Sequence, residues 1–452
     1  MNRHHSIYNV FAQLRQKKSL ISRFTRRGLL PVHVSIFLFV VLVLTVNFLT
    51  EPSAVNAQSA SSFQPTRASI YGTFYYPWYK NQSTDGTWSY WQDSNYSPPN
   101  SWFSNYLPLR PGTLNTTTGA INSVAGLYSS RDKDTFYWQL NGMAQAKLEI
   151  AISSWWGRST STTSDNAGTN AVEGKSDFTF RKIVTDWMNL SDNPYPNLRW
   201  TLYYEKEGAA NPSVAEIAAD LTYLNSNYAS QPSFFKINGR PVIFAYGDPS
   251  DACAMVDRWL QARAQSGTNF YIVLKLFSGY TSCASQPDSW HEYAPAARSG
   301  NYSTYASFIS PGFWKVGDPT ARLVRNLTEF DTAATAMVAA NTKWKLVQTW
   351  NEWGEGTSVE PGIQVQQTKA GTASVASNAT PFEDKYIQVL AQRFPALQAG
   401  TGVGVVGAGI PTPVPTQAQA ATPTPVPTQA QGATPTPSAT TIFLILMENH
   451  NW

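Results

Sequence analysis

The sequence predicts an α/β fold, a (β/α)8 TIM barrel. Eight short runs rich in apolar, β-branched and aromatic residues recur along the chain, as expected of strands buried on both faces. Stretches with helical apolar spacing lie between them. No glycine-rich phosphate loop follows the first run, which counts against the rival architecture, an open doubly wound sheet.

The strands are expected at Ile70–Trp78, Leu148–Trp155, Arg199–Glu205, Pro241–Tyr246, Phe270–Phe277, His291–Ala294, Ala306–Ser310 and Lys345–Trp350. The sixth and seventh carry the weakest pattern. Between the third and fourth, Ser213–Tyr228 places Val214, Ile217, Ala218, Leu221 and Leu224 on one helical stripe. Asp251–Ala264 and Asp331–Ala340 read as helices too, with Asp251 and Asp331 as N-caps.

The strand-bearing body is expected over residues 69–397 of the 452, after a polar lead-in at 58–68. Residues 1–57 read as an export leader. Seven basic residues (Arg3, Arg15, Lys17, Lys18, Arg23, Arg26 and Arg27) precede an apolar run within 32–49, and Val55-Asn56-Ala57 makes a cleavage site before Gln58. Thr25-Arg26-Arg27-Gly28-Leu29-Leu30 faintly resembles a twin-arginine signal. An uncleaved membrane anchor at 32–49 is the alternative. Both place the body outside the cytoplasm, secreted or at the cell surface. Removing those seven from 33 basic residues, and Glu51 from 29 acidic ones, turns a net +4 into −2. A body so nearly neutral argues against nucleic acid as a partner.

Residues 398–440 form a Gly-rich and then Pro/Thr-rich stretch, in which Pro411–Gln419 recurs at Pro423–Gln431. This composition predicts a disordered, semi-rigid linker without a core. Residues 441–452 resemble the opening strand of the phosphoesterase family, whose Glu-Asn pair (here Glu448-Asn449) binds metal. They read as the stub of a truncated second domain, and no phosphatase activity is expected. Cys253 and Cys283 are the two cysteines. They form either a disulfide or two buried thiols. Metal-site spacing is absent from the body, no cofactor is implied, and a monomer is expected.

Active sites of such barrels lie at the C-terminal ends of the strands. Aromatic residues make up 13% of the chain, and many fall at those ends. They are either dispersed core residues or platforms for the apolar faces of sugar rings. The strand-end aromatics Tyr76, Trp78, Trp155, Trp156, Tyr204 and Tyr246 are the candidate platforms, with Glu205, Asn351 and Trp353 as further substrate contacts. Glu205 and Glu207 share one face if the strand continues extended. The bland alternative for them is a surface ion pair with Lys206 or Arg181.

After the eighth strand, Glu352 and Glu355 stand three residues apart on a turn with Gly354 and Gly356. Glycosidic cleavage needs one carboxylic acid to protonate the leaving oxygen and a second carboxylate to support attack. Close like charges would keep one of them protonated near neutral pH. A pair of exposed loop glutamates is the bland alternative, and the flanking Trp350 and Trp353 count against it. Glu360 reads as a structural or supporting acid. His291 is the single histidine of the body. It binds sugar at a strand end or packs in the core, and no nucleophile-elbow motif accompanies it.

Trp350-Asn351-Glu352-Trp353-Gly354-Glu355-Gly356-Thr357-Ser358-Val359-Glu360-Pro361 resembles the signature of glycoside hydrolase family 99 and its relatives. Phe74–Tyr79 is similar to that family's opening strand, and Ser154-Trp155-Trp156-Gly157 and Arg240-Pro241-Val242-Ile243 match in type and order. The resemblance spans Ile70 to Pro361. It implies a (β/α)8 barrel and a retaining endo-acting hydrolase of an α-linked polysaccharide such as α-mannan. It implies that Glu352 deprotonates the substrate's own 2-hydroxyl, giving a 1,2-anhydro sugar, and that Glu355 is general acid and then base. Characterised members mostly carry a bulkier residue, often His, where this chain has Gly354. The Gly form is similar to relatives associated with polysaccharide biosynthesis. A carbohydrate-binding barrel with little or no catalysis is the alternative function.

Overall fold

The computed structural model describes residues 63–115, 117–118, 120–158, 176–368, 372–375 and 381–397. The leader, the Pro/Thr-rich linker and the stub at 441–452 lie outside the described residues.

A strand forms at each of the eight expected places with altered bounds: most are shorter than expected, the fourth starts one residue earlier at Arg240, and the sixth lies ahead of its expected range and shares only His291 with it. They are β1 (Ile70–Tyr75), β3 (Ile150–Trp155), β4 (Arg199–Tyr204), β6 (Arg240–Ala245), β7 (Tyr271–Lys275), β8 (Ser289–His291), β10 (Ala306–Ile309) and β11 (Trp344–Val347). They pair in parallel in the order β8-β7-β6-β4-β3-β1-β11-β10. Each strand therefore lies beside its neighbours in sequence except at β8 and β10, and the first lies beside the last. Gly72 of β1 is required by this packing, because a Cβ there would lie 2.5 Å from Ile150 Cγ1. Among the described residues five minor strands accompany them, one of which, β9 (Ser299–Tyr302), borders β10. The short β5 (Lys236–Ile237) pairs with β6, and β2 (Tyr106–Pro108), β12 (Gly362–Thr368) and β13 (Thr372–Val375) make a separate antiparallel sheet.

The sheet curls but does not close as expected. Among the described residues β8 and β10 are not paired. The edge of β10 is taken instead by an antiparallel strand, β9 (Ser299–Tyr302). The observed architecture is thus a mixed α/β fold around a curled half-barrel sheet. Helix distribution explains where it stays open. Long helices follow β1, β4, β6 and β10, at Lys133–Gln145, Val214–Asn227, Cys253–Ser266 and Leu327–Ala339. The β7–β8 connection holds only a 3-10 turn at Tyr280–Ser282, and the β8–β10 connection holds β9. Without a crossover helix to pack on the outside, nothing draws those two strands together. Side chains bridge the gap instead. Trp344 donates its indole N–H to Ser289 Oγ at 2.9 Å. Gln348, just past β11, accepts from the Ala294 amide at 2.8 Å and donates to the Glu292 carbonyl at 2.7 Å.

The helix at Val214–Asn227 starts as its sequence requires, with a capping box between Ser213 and Glu216. The expected stripe residues Ile217, Ala218, Leu221 and Leu224 are buried. The two aspartate N-caps are corrected. Ala252 precedes the helix at Cys253–Ser266, and Asp251 instead pairs with Arg258 at 2.8 Å. Asn326 caps the helix at Leu327–Ala339, and Asp331 pairs with Arg393 at 2.6 Å. In both cases a distant arginine takes the carboxylate that local pattern assigned to the backbone.

Candidate active site

The loop after β11 carries the two acids. It folds back on itself through Thr349 N to Thr357 O at 3.0 Å, Val359 N to Thr349 O at 3.0 Å and Glu360 N to Trp350 O at 3.1 Å. Thr349 Oγ1 accepts from the Glu352 amide at 2.8 Å. Inside this loop the Glu355 amide donates to Glu352 Oε1 at 3.3 Å, so the two side chains share one turn. Gly354 sits between them in close quarters. A Cβ at that position would sit 3.0 Å from Glu352 Oε1 and 3.1 Å from Phe103 Cε1.

Glu352 is buried at 8% exposure, and Glu355 is half-buried. One oxygen of each, Oε2, is enclosed and accepts no hydrogen bond. Burial and then the Glu355 charge hold Glu352 well above the usual carboxylate range. Burial pushes Glu355 up to about 7, against the lowering pull of Lys315 and Arg322. Glu205 is buried at 9% exposure just past β4 and lies within electrostatic reach of both. Burial pushes it up to about 8, the Ser154 hydroxyl opposes, and the Glu355 charge adds to the rise. Three raised carboxyls therefore occupy one corner of the fold. The loop pair is not a surface feature.

The tyrosines complete the site. Tyr76 and Tyr293 hydroxyls meet at 2.7 Å, and both feel Glu205, Glu352 and Glu355. Tyr76 packs against Trp78 at 4.7 Å, and Trp78 stacks on Tyr90 at 4.4 Å with planes 7° apart. Half-buried Tyr246 meets Tyr293 and Tyr203 edge-on. Trp156 is also half-buried.

Four expected contacts are corrected. Trp155 and Tyr204 end neighbouring strands but face the outer helices. Trp155 donates to Asp177 Oδ1 at 2.8 Å, and Tyr204 donates to Asp220 Oδ2 at 2.8 Å. Their neighbours Ser154 and Tyr203 face inward, because successive strand side chains alternate. Asn351 is fully buried and ties the loop to β1, accepting from the Tyr76 amide at 2.8 Å and donating to its carbonyl at 3.0 Å. Trp353 is fully buried beneath the acids, donating to Tyr128 Oη at 3.1 Å and Glu360 Oε2 at 3.0 Å. Trp350 is buried as well, against Gly142 of the helix at Lys133–Gln145. The two tryptophans support the acidic loop from below and do not wall it.

Glu207 also parts from Glu205. The chain turns helical at Lys206, and Glu207 pairs with Arg258 instead. Lys206 pairs with Asp220, and Arg181 pairs with Asp177, so neither cation makes the surface pair considered for Glu205. His291 is buried among Phe74, Tyr203 and Phe244. Burial lowers it to about 3, which makes it a neutral core histidine. Among the described residues no group of three or more His, Cys, Asp and Glu could hold a metal ion.

Residues 68–270 match the family model of glycosyl hydrolase family 99. The chain is a glycoside hydrolase that resembles family 99 over this stretch. Its fold is similar to that of the family 99 endo-alpha-mannosidase from Bacteroides thetaiotaomicron, in two solved structures. One, in complex with bis-tris-propane, is 16% identical with a TM-score of 0.51, covering 73% of this chain and 96% of the other. The second is 15% identical with a TM-score of 0.50, covering 73% and 97%. No curated protein matches the chain. In this hydrolase Glu352 and Glu355 lie C-terminal to the matched stretch.

Sequence reasoning missed several residues of the hydrolase's site. Tyr203 lies one position from Tyr204, and only strand parity separates them, whereas Tyr293 lies two positions past His291, beyond the end of β8. Lys275 and Glu292 form a buried ion pair at 2.7 Å beside Tyr246. The signal was a lysine inside the apolar run Tyr271–Phe277, since a buried charge requires a partner. The cysteines are joined, Cys253 to Cys283, tying the helix at Cys253–Ser266 to the turn after β7.

Proposed function

We propose that this hydrolase is an exported, retaining, endo-acting enzyme that cleaves an α-linked polysaccharide of the α-mannan type. One observation carries the reading. Glu352 and Glu355 share a loop, the Glu355 charge raises the proton affinity of Glu352, and each keeps one enclosed oxygen without a partner. Such a pair holds one proton between its members near neutral pH. A sugar hydroxyl donating to Glu352 favours its ionised form and leaves the proton on Glu355. Glu355 near 7 is then matched to general acid work.

In the first step Glu352 takes the proton of the sugar 2-hydroxyl and O2 attacks C1. The C1–oxygen bond to the leaving sugar breaks, and that oxygen takes the Glu355 proton. In the second step Glu355 takes a proton from water and the water oxygen attacks C1. The C1–O2 bond breaks, and O2 regains its proton from Glu352. Two inversions give retention. Attack by O2 requires it to lie on the ring face opposite the leaving group. An α-mannoside meets that condition and an α-glucoside does not. The endo-alpha-mannosidase activity of the similar Bacteroides enzyme agrees with this. Tyr76, Trp78 and Tyr246 provide ring faces for the sugar. The leader residues and the Cys253–Cys283 disulfide support export, because disulfides persist in oxidising compartments.

The test is product analysis after incubating the protein with a panel of α-mannans and α-glucans. Internal cleavage of α-mannan with retained anomeric configuration is expected. Binding without cleavage across the panel would overturn the enzymatic reading in favour of a carbohydrate-binding barrel.

A further inference from the structure

Glu360 is fully buried at the end of the loop that carries the two acids, and donors converge on it. Gln139 Nε2 reaches Oε1 at 2.7 Å, Tyr128 Oη reaches Oε2 at 2.7 Å, and Trp353 Nε1 reaches Oε2 at 3.0 Å. The direction of each bond is forced. Tyr128 Oη already receives Asn351 Nδ2 at 3.2 Å and Trp353 Nε1 at 3.1 Å, so its single proton goes to Glu360. Gln139 Oε1 receives Tyr75 Oη at 2.8 Å, so its amide N–H faces Glu360. The carboxylate is the acceptor on which the whole network ends.

That network grips the residue between the two acids. The Trp353 amide donates to Tyr79 Oη at 3.0 Å, its carbonyl accepts from Ser104 Oγ at 2.6 Å, and its indole is held by Glu360. Tyr79 Oη in turn donates to the Asn351 carbonyl at 2.9 Å. We propose that Glu360 is a positioning residue: acting through Trp353, it fixes the separation and orientation of Glu352 and Glu355. The inference rests on the proposed roles of those two acids. Glu360 touches neither substrate nor reacting atoms.

A glutamine in its place has nearly the same shape but the wrong polarity. Whichever way it turns, its NH2 meets a donor, either Gln139 or Tyr128 with Trp353. Exchanging the partners, Gln139→Glu with Glu360→Gln, restores one acceptor facing one donor. The experiment follows the side-chain carboxyls of 13C-labelled glutamate by NMR across pH, assigned with Glu352→Gln and Glu355→Gln, alongside kcat and KM. Glu360→Gln is expected to displace the titration of Glu352 and Glu355 and to lower kcat roughly tenfold or more, with KM nearly unchanged. The exchanged double variant is expected to return both toward wild type. Should Glu360→Gln fail to fold, the exchanged variant alone still decides. An unmoved titration in Glu360→Gln, or a folded exchanged variant whose pair still titrates abnormally, would overturn the proposal. The titration is read without substrate, so a wild-type protein that cleaves nothing would count against the proposed function and not against Glu360.

Discussion

The backbone amide of Glu355 donates to the carboxyl of Glu352 at 3.3 Å. A side chain that is partly held by the backbone of its own partner cannot reorient independently of it. Replacing either acid should therefore stop turnover while sparing the fold. Glu352→Gln and Glu355→Gln are each expected to lower kcat by roughly 10²- to 10⁴-fold. Thermal stability should stay the same or rise, since each change removes one of two neighbouring buried acids. Steady-state kinetics and calorimetry check this, and wild-type turnover in both variants would refute the assignment.

Lys315 and Arg322 pull the Glu355 proton affinity down. If Glu355 must be protonated to act, activity falls as pH rises past about 7. Lys315→Met and Arg322→Met remove the opposing cations, so that limb should move to higher pH. Raising the salt concentration should move it the same way in the wild type, because exposed charges are screened. The pH dependence of kcat reports both. A limb that shifts downward would assign the titration to another group.

The acids of the core also set how stability depends on pH. Glu205 is pushed up to about 8, and Glu207 and Glu355 to about 7, all from 4.5 and all chiefly by burial. In that range the unfolded chain has lost these protons and the folded chain still holds them. Stability must then fall as pH rises. His291 acts oppositely, but only below its ordinary 6.5. The melting temperature should consequently decline from about pH 6.5 to about pH 8. A flat or rising profile there would mean these carboxyls are ionised in the folded protein.

The Cys253–Cys283 bond closes a loop with a sequence separation of 30. The chain-entropy account of such a loop predicts a stabilisation of about 3 to 4 kcal/mol. Replacing both cysteines with serine should lower stability by a few kcal/mol in denaturant titrations. It should also raise KM for the polysaccharide, because the Tyr280 hydroxyl of the tethered turn donates to the Asp248 carbonyl just past Tyr246. Unchanged stability on reduction would show that the turn is held by packing alone.

Of the eight strands, the sixth, expected at His291–Ala294, is not an apolar run, and its bounds were misplaced. Most of the others were legible because they are runs rich in apolar residues, and runs of that kind need cover on both faces. The same property hid the inner face. Ser153-Ser154-Trp155 and Leu202-Tyr203-Tyr204 show no alternation of polar and apolar residues. Nothing local tells which of two adjacent aromatics points inward. Parity was settled by the Asp177 and Asp220 carboxylates on the surrounding helices, which draw Trp155 and Tyr204 outward. The acidic pair was legible from its spacing and glycines, but its support was misassigned. Trp353 looked like a wall for the substrate, whereas its indole N–H needed a buried acceptor and found Glu360.

Where β8 and β10 fail to pair, the amide of Gln348 rivets the two ends of the sheet to the segment 292–294. That segment carries Tyr293, whose hydroxyl touches Tyr76 on the opposite side of the acids. The join is accordingly held by the side chains of Gln348 and Trp344, with no ladder between β8 and β10 among the described residues. A shift of Tyr293 away from Tyr76 would then cost side-chain hydrogen bonds and no strand pairing.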